Sequence, residues 1–254
     1  MRPWRASNWS DPLRLRLDLA YDGTGFRGFA INPGVDTVEA RLVAALEQVL
    51  SHPVRLACAG RTDAGVHARA QVVSFDTDAD VDVDRLVRSL NRLCGEEIVV
   101  SKAAVAAPDF HARFSARTRR YRYSVLNAAR PDPLRRNVVW HVREPLDVDD
   151  MNAAAAHVVG LHDFSSFCRR HPNRSSERNV LAAHWEHDSD LLVFDITASS
   201  FCHQMVRSLV GTMVEVGRGG SKPSAIPDVI AARDRHQATV IAPPGGLCLW
   251  DVGY

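Results

Sequence analysis

The chain has 254 residues, 46% of them hydrophobic and 24% charged, with a formal net charge of +1. At roughly 100 to 200 residues per domain, this length fits one large domain or two small ones, and the composition excludes a chain disordered over most of its length. The longest apolar runs, such as residues 103–107, fall far short of the roughly 20 residues of a membrane span, and the N-terminus lacks the apolar core of a signal peptide. We therefore expect a soluble cytoplasmic protein with no membrane partner.

The first half of the chain predicts alternating strands and helices. Leucines alternating with polar residues predict a strand over 13–19, and Asp36 and Thr37 cap a helix that runs through Val49. Two further strands are expected over 54–58 and 70–75. A second amphipathic helix runs from Val83 to Leu93, closed by Gly95, and a strand follows over 98–101.

The second half repeats this order of elements. Strands are predicted over 121–126, 191–198 and 247–252, and helices over 151–159, 204–216 and 228–233. Gly160 and Gly217 stand just past two of these helices, where a C-cap favours glycine. The pattern predicts an α+β fold of two similar halves, 13–107 and 108–254, whose sheets could join, after an N-terminal extension of residues 1–12.

Arginine is segregated along the chain. Between Arg113 and Arg143, nine arginines stand against one acid, Asp132, and four more at positions 169, 170, 174 and 178 stand against Glu177. A polyanion would therefore meet one basic face. The run Arg119-Arg120-Tyr121-Arg122-Tyr123 suits phosphate contacts combined with base stacking, although a solvated strand face predicts the same pattern.

The cysteines and histidines indicate no metal site. Five cysteines are scattered, odd in number and never spaced as Cys-x-x-Cys, which favours reduced thiols over a disulfide framework or a zinc knuckle. Cys168-x-x-His171 is a single pair. No ligand spacing is shared by the histidines considered, which are His67, His111, His162 and His203.

The segment most informative about chemistry lies between the strands expected over 54–58 and 70–75. It reads Gly60-Arg61-Thr62-Asp63-Ala64-Gly65-Val66-His67-Ala68, so Asp63 is expected on a loop flanked by glycines, where a carboxylate can face a cleft. Such a segment is also typical of a simple turn in which the aspartate binds its own backbone. Nearby Arg61, His67 and Arg69 favour the functional interpretation, because cations hold a carboxylate ionised and able to act as a nucleophile or base.

Together with four other blocks, this segment resembles the tRNA pseudouridine synthase A family, the TruA-type enzymes. The other blocks are Phe110-His111-Ala112-Arg113-Phe114, Arg120-Tyr121-Arg122-Tyr123, residues 160–167 (GLHDFSSF) and residues 205–211 (MVRSLVG). The resemblance extends over nearly the whole chain. It implies the pseudouridine synthase fold, with a central basic cleft between the two halves and Asp63 at its floor.

The resemblance implies an isomerase that converts uridine to pseudouridine in tRNA, at positions 38, 39 and 40 of the anticodon stem-loop. Uracil is detached from C1′ of ribose, turned and rejoined through C5 with no net redox change, so no cofactor is implied. Asp63 would be the catalytic carboxylate, which is suited to attack on C1′, addition to C6 of the base or removal of a proton from C2′. A homodimer in which one tRNA contacts both subunits is also implied.

The same resemblance gives roles to other residues. Arg61 would fill the space left by a flipped base, Tyr121 would stack on the uracil, and Arg207 would pair with Asp63. RNA contacts are implied for Phe110, His111, Ala112, Arg113 and Phe114, and for Cys168, Arg169, Arg170, His171 and Pro172. Without the resemblance, Tyr121 would be read as a core residue of a strand and Arg207 as a charge at a helix end. Residues 110–114 would be a packing segment, and residues 168–172 a solvated loop.

The chain departs from the family at three places, and two other functions fit some of its residues. Gly28-Phe29-Ala30 stands where Gly-Trp-Gln is usual, Cys202 where leucine is usual, and residues 1–12 have no counterpart. A non-catalytic RNA-binding protein would use the same arginines, and it predicts that Asp63→Asn loses little function. A carboxylate glycoside hydrolase needs a second acid, and none stands out near Asp63.

Overall fold

A computed structural model describes residues 12–169, 175–238 and 240–254. Its strands are β1 (Leu13–Tyr21), β2 (Ala57–Cys58), β3 (His67–Thr77), β4 (Ile98–Val105), β5 (Thr118–Asn127), β6 (Trp140–Val142), β7 (Gly160–Asp163), β8 (Glu177–Asp188), β9 (Leu191–Ala198) and β10 (Leu247–Gly253). Its helices are α1 (Val38–Leu50), α2 (Val83–Leu93), α3 (Val148–Ala156), α4 (Met205–Gly217) and α5 (Ile226–Ala232). No helix in these ranges is long and apolar enough to cross a membrane.

Local sequence accounts for most of these elements. In β1 the side chains of Leu15, Leu17 and Leu19 are buried on one face, because successive residues of a strand point to opposite faces. Helix α1 begins after Thr37, whose hydroxyl accepts a hydrogen bond from the Ala40 N–H (3.4 Å). The expected α+β composition is confirmed.

One sheet runs through both halves of the chain. Its strand order is β4-β1-β3-β10-β5-β9-β8-β7, with β2 beside β3 and β6 beside β5. The last strand, β10, pairs parallel with β3 and antiparallel with β5. The expectation that the two sheets join is therefore confirmed, and the C-terminal strand joins them. The larger of two apolar clusters includes side chains from both halves, among them Leu17 and Phe194.

Several predicted element ends are wrong. The helix expected over 151–159 is α3, Val148–Ala156, so Gly160 is not its C-cap but the first residue of β7. The strand expected over 54–58 is reduced to Ala57–Cys58. Gly217 is not a C-cap but the last residue of α4, and a Cβ there would lie 2.7 Å from the sulfur of Met151 in α3. Glycine at position 217 allows helices α3 and α4 to approach closely. The glycine with a left-handed backbone after α4 is Gly219, whose φ is 76°.

Strand β8 is the longest element that the sequence does not predict. Of its 12 residues only Val180 and Trp185 are buried. The register also shifts between Val180 and Ala182, which breaks the alternation. Because apolar alternation is the main signal of a strand, a polar strand with a shifted register gives almost none.

Candidate active site

Asp63 lies on a tight turn between β2 and β3. The Val66 N–H donates to the Asp63 carbonyl oxygen (3.1 Å), and Gly65 has a φ of 75°, which favours glycine. The turn is thus closed by the backbone of Asp63. Within the described ranges, its side-chain oxygens have hydrogen-bond or ion-pair distances only to residues 203 and 207. The alternative of an aspartate bound to its own turn is therefore wrong.

Residues 21–29 pack against this turn. The Phe29 N–H donates to the Thr62 carbonyl oxygen (3.1 Å), and the Thr62 hydroxyl shares a hydrogen bond with the buried Tyr21 hydroxyl (2.8 Å). A Cβ on Gly28, whose φ is 103°, would lie 3.2 Å from the same carbonyl oxygen. Phe29, where the family pattern has tryptophan, is fully buried. That departure therefore falls in the packing that supports the Asp63 turn.

The Asp63 carboxylate meets two basic side chains from the second half, one at each oxygen. Arg207 Nη1 lies 3.6 Å from Oδ2, and His203 Nε2 lies 3.2 Å from Oδ1. The Asp63 side chain is 24% exposed, Arg207 15% and His203 47%. The site therefore lies where the two halves meet and is most open beside His203.

Arg207 is fixed from two sides. It is the third residue of α4, and its Nε donates to the Ala242 carbonyl oxygen (2.7 Å), while the Ala242 N–H donates to the Arg207 carbonyl oxygen (3.0 Å). Arg207 lies in the first turn of α4 and reaches Asp63 with its guanidinium. The structure thus brings Arg207 and Asp63 together.

His203 is the site residue that the sequence does not predict. The histidines were compared by metal-ligand spacing, which His203 does not show. A usable signal is its place one residue before the predicted start of the helix that carries Arg207. Side chains at the start of one helix can reach the same neighbouring group.

The cations expected around Asp63 are elsewhere. The His67 Nδ1 accepts a hydrogen bond from the Gly23 N–H (3.0 Å), and its Nε2 lies 2.9 Å from the Asn137 carbonyl oxygen. The same Nδ1 also lies 3.1 Å from the Asp22 carboxylate, so His67 is engaged by residues other than Asp63. The Arg69 guanidinium lies 4.5 Å from the ring centre of Trp250. Arg61 is exposed and has no hydrogen bond or ion pair to the described residues.

Tyr121 lies on β5 in the middle of the sheet and is 7% exposed. Its ring meets the ring of Phe201 edge-on, with 5.1 Å between ring centres. Burial raises the pKa of Tyr121, and the charge of nearby Asp63 adds to the rise, so the hydroxyl stays protonated. The hydroxyl has no hydrogen-bond partner in the part of the chain that the structure describes.

The segment 110–114 has one buried position, Ala112, followed by two exposed ones. Ala112 is fully buried, with its N–H donating to the Ser74 hydroxyl (3.0 Å) and its carbonyl oxygen accepting from the Tyr254 hydroxyl (2.7 Å). Phe114 is 76% exposed and lies 4.5 Å from the His111 ring, and Arg113 is exposed as well. Phe110 packs on Tyr254 (5.0 Å between ring centres). The exposed side chains available to a ligand are therefore those of Arg113 and Phe114, with His111 partly exposed.

The second expected RNA segment lies only partly within the described residues, because Arg170, His171 and Pro172 fall outside them. Cys168 is buried and forms a disulfide with Cys202, with 5.7 Å between the Cα atoms. The expectation of reduced thiols is thus wrong for this pair, since scattered sequence positions do not report proximity in the fold. The exposed Arg169 donates its N–H to the His203 carbonyl oxygen (3.0 Å).

The arginine-rich strand β5 contributes less to a basic face than its sequence indicates. Arg120 and Arg122 both bind Asp195, at 2.8 Å and 2.7 Å. Alternation along β5 places them on the sheet face opposite Tyr121. Arg135 is likewise paired, with Asp190. Phosphate contacts from Arg120 and Arg122 are therefore not expected at the Asp63 site.

Arg119 is buried, and its partners among the described residues are all carbonyl oxygens. Its guanidinium donates to those of Ala59 (2.9 Å), Arg113 (2.6 Å), Ala116 (2.9 Å) and Ser199 (2.8 Å). Burial lowers its pKa, and no carboxylate compensates among the contacts. Arg119 thus ties the strand before the Asp63 turn to segment 110–116 and to the loop after β9.

Comparison with known proteins identifies relatives over most of the chain. The sequence model of the family described as tRNA pseudouridine synthase matches residues 19–115 and 154–254. The first range contains Asp63, and the second contains His203 and Arg207.

Individual relatives agree with this match. The protein named tRNA pseudouridine synthase A from Moorella thermoacetica is 44% identical over 243 residues, which are 94% of this chain and 99% of the relative. The protein of that name from Halalkalibacterium halodurans is 42% identical over 237 residues, 92% of this chain and 90% of the relative. That from Pelobacter propionicus is 41% identical over 243 residues, 94% and 99% of the two chains.

Proposed function

Because the chain belongs to the tRNA pseudouridine synthase family, a family of isomerases, we propose that it converts uridine to pseudouridine in tRNA at positions 38, 39 and 40 of the anticodon stem-loop. In this reaction the bond between N1 of uracil and C1′ of ribose breaks, and a bond between C5 and C1′ forms. The C5 hydrogen leaves as a proton, and N1 gains one. Atoms and electrons balance, so the reaction requires no electron carrier.

The observation that carries the proposal is the Asp63 carboxylate, held between the two halves with a basic side chain at each oxygen. A carboxylate oriented in this way and about a quarter exposed can approach a nucleotide that enters the site. It is suited to attack C1′, to add to C6 of the base or to remove the C2′ proton. Each route requires the nucleotide to leave its helix.

For base flipping, we propose roles for Arg61 and Tyr121 on family membership, and the exposed side chain of Arg61 is compatible with its role. Extruding a nucleotide costs a few kcal/mol. Stacking of uracil on the Tyr121 ring would return about 1 to 3 kcal/mol. The exposed Arg61 guanidinium, two residues before Asp63 and without a partner among the described residues, would occupy the space left in the RNA helix.

The RNA backbone and neighbouring bases would be held by exposed side chains around the site. Arg113 and Phe114 offer a cation and an aromatic face, and Arg169 offers a second cation. Cys168 and Ala112 are buried, so they would contribute to RNA binding by holding the backbone of the neighbouring exposed residues in place. A homodimer that shares one tRNA and a cytoplasmic location are proposed on family membership alone.

The proposal is tested by tritium release from tRNA that carries 5-tritiated uridine, followed by mapping of the modified nucleotides. The wild-type protein should release tritium from positions 38 to 40, and Asp63→Ala should release none while binding tRNA with an affinity close to that of the wild type. Asp63→Asn, which has nearly the shape of aspartate, is the matched control for packing and should be equally inactive. Turnover by either variant would contradict the catalytic role and favour a non-catalytic RNA-binding protein.

A further inference from the structure

His203 is the most exposed group in contact with Asp63. Arg207 Nη1 lies 3.6 Å from Oδ2, which is longer than a hydrogen bond, and His203 Nε2 lies 3.2 Å from Oδ1, within hydrogen-bond distance but without the alignment of a formed hydrogen bond. Arg207 also gives its Nε to the Ala242 carbonyl oxygen. Of the two basic contacts, the shorter one therefore comes from the histidine.

The loop 199–204, between β9 and α4, is held in place on several sides. The Ser199 carbonyl oxygen accepts from Arg119 (2.8 Å), Phe201 packs on Tyr121, and Cys202 is joined to Cys168. The His203 carbonyl oxygen accepts from the Arg169 N–H (3.0 Å). The backbone on both sides of the His203 ring is thus tied to other segments, and the loop holds the ring at the carboxylate.

The residue after His203 has an unusual backbone conformation. Gln204 has a φ of 66° in the left-handed region, and α4 begins at the next residue. A residue other than glycine adopts this conformation only at an energetic cost. The turn at Gln204 lets the chain present His203 to Oδ1 and Arg207, one helical turn later, to Oδ2 of the same carboxylate.

We infer that His203 is a positioning residue: a small rotation of its half-exposed ring turns the 3.2 Å contact between Nε2 and Oδ1 into a hydrogen bond that fixes the rotation of the Asp63 carboxylate. The inference rests on the catalytic role proposed for Asp63. A carboxylate held at both oxygens has one orientation of its plane, whereas the longer contact to Arg207 alone leaves the plane free to turn. Misplacement of a reacting group by about 1 Å can reduce a rate by roughly 10²-fold.

The donated proton is present on a neutral ring protonated at Nε2 and also on a charged ring. The function therefore requires a hydrogen-bond donor at this point in space and does not require a charge. Glutamine carries an amide nitrogen at nearly the same distance from its Cα as Nε2 of histidine. His203→Gln should therefore restore what His203→Ala removes.

The test is single-turnover tritium release at saturating tRNA, together with the tRNA affinity of each variant. His203→Ala should lower the rate about 10- to 100-fold, with tRNA affinity changed less than about threefold. His203→Gln should return to within about threefold of the wild type. His184→Ala is the matched control, since His184 is similarly exposed (52%) and does not contact Asp63, and it should be unchanged.

Three outcomes would overturn the inference: a wild-type rate in His203→Ala, a loss confined to tRNA affinity, or a His203→Gln variant as slow as His203→Ala. Thermal unfolding checks that the half-exposed ring is not needed for folding, and His203→Gln gives a second variant should the alanine variant be unstable. Asp63→Ala is measured in parallel. If Asp63→Ala retains turnover, the proposed function of Asp63 fails, whereas an inactive Asp63→Ala beside a fully active His203→Ala refutes only the role of His203.

Discussion

Two aspartates in this molecule each meet two basic side chains, and they differ in almost everything else. Asp195 is 3% exposed in its side chain, and Arg120 and Arg122 bind its two oxygens at 2.8 Å and 2.7 Å. Asp63 is 24% exposed, and its partners lie at 3.2 Å and 3.6 Å. The Asp195 carboxylate is buried and both of its oxygens are bound by arginines, which suits a role in stability. The Asp63 carboxylate is partly exposed and its contacts are longer, which leaves oxygen lone pairs for a ligand.

Removing one basic partner of Asp63 should have the largest effect, and that effect should be on turnover. Arg207→Ala removes the charge from Oδ2 of Asp63, and we expect tritium release to fall roughly 10²- to 10³-fold, as for loss of one preorganised electrostatic contact at a reacting centre. Single-turnover kinetics measure the change. Arg120→Ala, which removes a partner of Asp195, is the control and should keep its rate; an equal loss in both variants would mean that the two pairs do not differ in function.

The next effect is on stability and concerns Asp195. Burial by itself raises the pKa of this carboxyl, but hydrogen bonds from Arg120 and Arg122 and their charges more than offset it, so the pKa lies below its ordinary value of 3.8. Asp195→Asn should therefore lower the free energy of unfolding at neutral pH by about 2 kcal/mol, less than for a fully buried pair because Arg120 is partly exposed. Urea unfolding measures it, with turnover unchanged.

The pH dependence of that loss has a definite sign. A carboxyl with a lowered pKa in the folded state stabilises the fold fully above its unfolded value, and this contribution disappears as the pH falls through the folded value. The difference between the wild type and Asp195→Asn should thus be constant from neutral pH down to about 5 and shrink below 3.8. A difference that grows toward acid pH would contradict the ion-pair explanation.

The contrast between the two aspartates marks what the sequence could predict. Strand alternation in β1, the cap at Thr37 and the Asp63 segment are local features, and each leads to the right element or loop. The partners of Asp63 are not local, since His203 and Arg207 lie some 140 residues away along the chain. The resemblance supplied Arg207, but nothing in the spacing supplied His203.

The role of the arginine-rich strand β5 could not be predicted from its sequence, and the reason is physical. In β5, alternate residues point to opposite faces, so neighbouring arginines have different roles. Arg119 binds carbonyl oxygens in the interior, and Arg120 binds Asp195 on the other face. Whether an arginine of β5 lies beside an acid depends on the register between β5 and β9, and this register places Asp195 opposite Arg122. Composition carries no information on that register.

A smaller effect should distinguish exposed arginines from paired ones. Arg113→Ala should weaken tRNA binding about three- to tenfold and lower the slope of log affinity against log salt by about one, because one phosphate contact is lost. Filter binding at several salt concentrations between about 50 and 200 mM measures both quantities. Arg122→Ala should leave both unchanged, and a slope lowered in Arg122→Ala would place RNA on the opposite face of the sheet.

The smallest structural change is Tyr121→Phe, which keeps the ring and its edge contact with Phe201. Since the Tyr121 hydroxyl has no partner among the described residues, the variant should melt within about 2 °C of the wild type. The raised pKa keeps this hydroxyl protonated through neutral pH, so it can donate a hydrogen bond to a nucleotide but cannot titrate there. The pH–rate profile between about 6 and 9 should therefore have the same shape in both proteins, even if the rate of Tyr121→Phe is lower throughout. A step in the wild-type profile that Tyr121→Phe removes would show the hydroxyl acting as an acid or base, and the stacking role would then be incomplete.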